Sequence, residues 1–141
     1  QKWQTAESNL IYFIVCGISY AKSCGKSADD FGDWAGKVAA PSWRETKKKG
    51  VRGLVEGIAR NKQQFQSFEI EILFESTMSV QARIKGFGED LVRQRPRQEI
   101  TVDDYIRFFD KKWVAIANYM GLDYKQHVED DWVIFSVTEK N

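Results

Sequence analysis

Residues Phe68–Lys85 read FEIEILFESTMSVQARIK, and this stretch decides the fold class. Its apolar period is two: Phe68, Ile70, Ile72 and Phe74 fall on one face, with Glu69, Glu71 and Glu75 on the other. Past Thr77, Val80, Ala82 and Ile84 alternate with Gln81, Arg83 and Lys85. Folding the two runs about Thr77 sets Glu71 against Arg83 and Glu69 against Lys85, while Ile70 meets Ile84 and Ile72 meets Ala82. Charge and burial agree on one antiparallel register. The turn itself lacks the Asn-Gly or Gly signal usual in a short hairpin.

Helical patterns flank this hairpin. Upstream, Thr5 is read as an N-cap for a helix that stops at Gly25. The seven consecutive apolar residues Leu10 to Cys16 would make it apolar all round, which suits a central helix. Ser27 caps a second helix, with Asp29 and Asp30 at its positive end and Phe31, Trp34, Ala35 and Val38 as its inward stripe before Pro41. A third helix is expected over Lys47 to Gln64, with Val51, Leu54, Val55 and Ile58 facing inward. Its Gly50, Gly53 and Gly57 share one side, which invites close approach of a neighbouring helix or a ligand.

Downstream, Gly86 to Glu99 reads as irregular, with Arg93, Arg95 and Arg97 alternating and Pro96 arguing against a central strand. Thr101 and Asp104 then form a capping-box variant, and a long helix runs to Met120 before Gly121. Tyr124 to Val128 and Trp132 to Thr138 read as a second hairpin turning at Asp130 and Asp131. The order is three helices, a hairpin, a long helix and a hairpin. It predicts a single α+β domain over 1–141, with helices on one face of a small antiparallel sheet.

On the long helix, Val102, Tyr105, Ile106, Phe109, Trp113, Ile116, Ala117 and Met120 span an arc of roughly 120°, already a full core face. Phe108, Ala115 and Tyr119 form a second stripe outside it, with Lys112 on the same flank. That flank is covered by a second helix, lines a ligand cavity, or forms a subunit interface.

Twenty-one Lys and Arg against twenty Asp and Glu give a formal charge of +1, so no global field recruits nucleic acid or a membrane surface. The longest uncharged stretch, Ser8 to Ala21, falls short of the ~20 apolar residues of a transmembrane helix. The start on Gln1 leans towards an exported, processed form. Cys16 and Cys24, eight apart on one helix and so separated by ~12 Å of rise, read as thiols.

The chain holds nineteen aromatic residues (nine Phe, five Tyr, five Trp) and one His. Aromatics supply buried area and pocket walls, whereas catalysis needs titratable groups placed against each other. The leading expectation is therefore a non-enzymatic module binding a small, partly apolar ligand in a pocket between helices and sheet. Trp34, Trp43, Phe108, Trp113 and Tyr119 are its candidate walls and Arg52 its orienting charge. A homodimer using the Phe108 and Tyr119 stripe is the alternative, and a small hydrolase or isomerase using His127 or Cys24 the second. No metal-ligand spacing is present, and no cofactor or nucleic-acid partner is implied. The basic cluster Arg44, Lys47, Lys48, Lys49 and Arg52 reads as a solvated face or, less simply, an anion site.

Overall fold

A computed structural model describes residues 2–95 and 99–140. Helix α1 (Lys2–Ser23) starts a turn earlier than the sequence reading, so Thr5 lies inside it rather than capping it. Its end is a Schellman closure: Gly25, at φ +75°, donates its N–H to the Lys22 carbonyl, and Lys26 donates to Ala21. The apolar run divides by face. Ile11, Ile14, Val15 and Ile18 are buried, whereas Tyr12 and Phe13 are exposed, Phe13 at 68%. The helix therefore lies on the outside of the helical layer rather than at its centre.

Helix α2 (Ala28–Ala39) opens with the expected box, the Ser27 hydroxyl accepting from Asp30 N and the Asp30 carboxylate from Ser27 N. Its inward face matches the hydrophobic pattern only in part: Phe31 and Ala35 pack against the core. Ala28, Gly32 and Gly36 are buried, while Trp34 is 61% exposed and Val38 faces solvent. The cause is proximity. A Cβ on Gly32 would stand 2.3 Å from the Phe108 carbonyl oxygen, and one on Gly36 would stand 2.5 Å from that of Lys112. Both carbonyls belong to α6, so small residues alone fit between these two helices.

A 3-10 turn at Ala40–Trp43 and the short helix α3 (Arg44–Lys47) precede α4 (Gly50–Lys62), so the expected third helix is broken at Lys48 and Lys49. Its inward stripe is as read from the sequence. The aligned glycines have two partners: the Trp43 ring lies where a Gly57 Cβ would be, and the Thr46 carbonyl lies against Gly53. Chain packing accounts for Gly53 and Gly57, whereas Gly50, at φ +61°, has nothing within 4 Å.

Strands β1 (Glu69–Glu75) and β2 (Ser79–Lys85) pair in the register derived above. The Ser76 hydroxyl accepts from Met78 N and Ser79 N, making a serine turn where glycine was missing. A bulge after Ile72 moves Phe74 opposite Gln81, off the face of Ile70 and Ile72. Helix α5 (Glu89–Gln94) interrupts the segment read as irregular, and Arg93 pairs there with Asp90. Pro96, Arg97 and Gln1 lie outside the described residues. Helix α6 (Val102–Met120), boxed by Thr101 and Asp104 and stopped by Gly121, leads to β3 (Leu122–Glu129) and β4 (Trp132–Glu139). Asp130, at φ +56°, makes the turn between them.

The sheet order is β1-β2-β4-β3, antiparallel throughout, and the helices pack against it in an α+β fold. Helix α4 lies over β2 and β4, α6 over β3, and α2 forms an outer layer on α6. Val80, Ala82, Ile84, Val133, Phe135 and Val137 turn inward to meet Tyr105, Phe109, Trp113 and Ile116. Phe108 and Ala115 are buried beside α2, with the Phe31 ring 5.0 Å from that of Phe108. Phe108 and Ala115 of the second stripe of α6 are thus covered within the chain, while Tyr119 stays half-buried. Among the described residues no helix is long and apolar enough to cross a membrane.

The α2–α6 contact sets a testable limit. Alanine in a helix gains about 1 kcal/mol over glycine, whereas overpacking costs about 1–3 kcal/mol and rises with side-chain size. Gly36→Leu is expected to lose at least about 2 kcal/mol in urea denaturation. An unchanged midpoint would mean that the two helices are not in backbone contact.

Candidate functional site

The inward stripe of α4 does not end at Ile58. One further turn places Lys62 on the same face, and the fold buries it to 1% exposure. Beyond it the chain turns through Phe65, which is also buried. The end of α4 therefore meets Leu10 and Ile14 of α1, Ala35 of α2, and Phe108, Phe109, Lys112 and Trp113 of α6 around a cavity of about 210 Å³. Asn61 and Gln64 are exposed and line its mouth.

Lys62 Nζ rests 3.2 Å from the centroid of the Phe109 ring and 4.0 Å from that of Phe87. It has no hydrogen-bond partner. Ring faces offer an amine weak compensation at best. Burial pushes this amine well below the usual lysine range, the positive charge of Lys112 pushes it further, and the charge of Glu89 opposes both. Glu89 is itself buried and committed, accepting from Phe87 N at 2.8 Å and Gly86 N at 3.2 Å. The loop it holds is fixed from the other side, where Tyr105 donates its hydroxyl proton to the Phe87 carbonyl.

Lys112 stands at the opposite wall, 4.8 Å over the Trp113 ring, its pKa also lowered by burial. Trp113 Nε1 is buried and, like Lys62 Nζ, unpartnered; among the described residues these are the two such side-chain atoms, and both residues line this cavity. The site is chemically a hollow walled largely by aromatic rings, with Lys62, Lys112 and Trp113 among its lining residues and the Lys62 Nζ and Trp113 Nε1 atoms themselves fully buried.

Of the residues expected from the sequence, Phe108 and Trp113 reach the cavity. Trp43 stands behind its wall, edge-on to Trp113 at 5.7 Å and packed over Gly57. Trp34 lines a separate open groove between α1 and α2, together with Tyr20, Cys24 and Phe31. Arg52 is on the solvent side of α4, its guanidinium bonded to Glu56 at 2.7 Å, and does not orient anything in the hollow. Tyr119 packs under Lys47, beside the α3 segment. His127 is exposed on β3 with Glu129 3.5 Å away, on a different element from Cys24. Three of the five residues in the basic cluster have local partners: Lys48 pairs with Glu45, Arg52 with Glu56, and Lys47 stands over the Tyr119 ring. The acids of α2 are likewise used, Asp29 by Arg107, Asp30 in the cap and Asp33 by Lys37.

Lys62 was the missed residue, although its place four beyond Ile58 and seven beyond Val55 carried the signal. Among the described residues no cluster of His, Cys, Asp or Glu could hold a metal ion. No family model, curated protein or solved structure matches this chain.

Lys62 gives the fold a pH signature. Its folded-state pKa lies below that of the unfolded chain, so unfolding takes up a proton between that depressed value and about 10.4. Stability should rise with pH across that window by up to about 1.4 kcal/mol per unit for this one group. Lys62→Met, which keeps the apolar stem, should be more stable than the parent by about 1–3 kcal/mol at pH 7. Its urea midpoint should also rise less between pH 7 and pH 9. Parallel pH profiles for the two proteins would place the parent amine in water.

Proposed function

We propose that this chain is a non-enzymatic domain that holds a small, partly apolar molecule in the cavity between α1, α2, α4 and α6. The observation that carries the reading is the hollow itself: aromatic and aliphatic walls from α1, α2 and α6, with the polar residues Asn61, Lys62, Gln64 and Lys112 in its lining. Ligand sites have this composition, a mostly apolar lining with a few polar groups that set orientation. Its volume of about 210 Å³ exceeds the ~150 Å³ known to admit benzene, so a single ring or a short branched chain fits. The walls are preorganised by packing: Phe109 lies edge-on to Tyr105, Phe87 and Phe108 at ring separations of 5.1–5.5 Å.

A neutral ring of this size, benzamide, tests the reading. At ten times its dissociation constant a ligand of the folded state stabilises by about 1.4 kcal/mol, roughly 4 °C in melting temperature for a chain of this length. Ala35→Leu puts three more carbons into the cavity wall and should remove that protection while the unliganded protein still melts cooperatively. Equal protection of both proteins would place binding elsewhere, and no protection of the parent by either benzamide or benzoate at saturating solubility would refute the pocket.

A further inference from the structure

We infer that the ligand of this cavity is a small organic carboxylate, with its apolar body against Phe108, Phe109 and Trp113 and its charged end taken by Lys62, a reading that rests on the ligand-binding function proposed above. Two independent features of the lining point to an anionic acceptor. Among the described residues the two unpartnered buried side-chain polar atoms are Lys62 Nζ and Trp113 Nε1; both can donate, and the indole N–H only donates. Among the residues lining the cavity there are two lysines and no Asp or Glu. Glu89, the carboxylate whose charge acts on Lys62, spends its oxygens on Phe87 N and Gly86 N. The chain therefore places two basic side chains and an indole beside a hollow whose lining holds no carboxylate.

Buried donors left unmade are a cost to the empty protein, and two amines around one hollow repel when charged. A carboxylate relieves both terms at once: it accepts charge-assisted bonds and restores the charged form of the amine beside it. Lys62 is suited to this because its flexible stem lets Nζ leave the Phe109 ring face for an oxygen in the cavity. The walls define the remainder of the molecule. They are aromatic and close, so a hydrated dianion such as phosphate would lose its water without gaining enough donors, whereas one ring or about six carbons carrying a single carboxylate fits the space.

Calorimetric titration with benzoate and its uncharged isostere benzamide, at pH 7 and low salt, separates the charge from the pocket. The parent should bind benzoate at least tenfold more tightly than benzamide. In Lys62→Met that preference should fall to about twofold or less, and excess inorganic phosphate should not displace benzoate from the parent. Equal affinity for the two probes overturns the carboxylate inference and leaves the ligand-binding function standing; binding of neither overturns both. A tenfold preference retained in Lys62→Met, or displacement by phosphate, overturns the assignment of Lys62 to an apolar carboxylate.

Discussion

The backbone contact between α2 and α6 governs much of this structure. Gly32 and Gly36 bring α2 so near that the next atoms met are the Phe108 and Lys112 carbonyl oxygens. Three consequences follow from that distance. Phe108 and Ala115 of the second apolar stripe of α6 are covered by the chain itself. Ala35, on the turn between the two glycines, reaches the wall of the cavity. The bulkier residues of α2, Trp34 and Val38, are turned out to solvent, because the contact leaves no room for them beneath. The ion pair between Asp29 at the start of α2 and Arg107 on α6, both oxygens at 2.8 Å, fixes the helices in the same alignment. It is a bidentate pair and hence geometrically specific, although its exposure keeps its energy modest.

Against this frame, α4 delivers a lysine into an apolar site. Desolvation of an ammonium costs several kcal/mol in a protein interior, more than contact with two ring faces returns. The chain resolves the conflict by favouring the neutral amine, with Lys112 reinforcing the shift. Such an arrangement is poor for stability, and Met would fill the same volume without the cost. Retaining an amine in a hollow that has space beside it makes chemical sense when something else occupies that space. The carboxylate account joins these facts: the depressed amine, the second lysine, the unpartnered indole N–H and the cavity.

The parts of the fold most legible in the sequence are those where two signals coincide. In the β1–β2 hairpin, alternation fixed the faces and the Glu–Arg and Glu–Lys pairs fixed the register. For α6 a capping box and a glycine stop marked the two ends. A single signal served for the stripe of α4 but misled on α2 and α1. On α2 hydrophobicity favoured Trp34 and Val38, while the buried positions are glycine and alanine, whose value lies in what they leave out. On α1 the apolar run gave no face at all, and burial was decided by which neighbours the chain supplies. The bulge in β1 shifted Phe74 without leaving any mark in the alternation. For the site, Phe108 and Trp113 were legible as surplus aromatic surface. Lys62 was not, since charge argues for exposure and position on the stripe argues for burial, and tertiary packing chose the second.

Site-resolved NMR titration of the lysine side-chain resonances in the unliganded protein tests the central claim most directly. The account predicts one signal, absent from Lys62→Met, whose midpoint lies well below the ordinary lysine value of about 10.4. A Lys62 signal that titrates with the exposed lysines would contradict it, because an amine in ordinary contact with water leaves the cavity without the unpaired group on which the carboxylate reading depends.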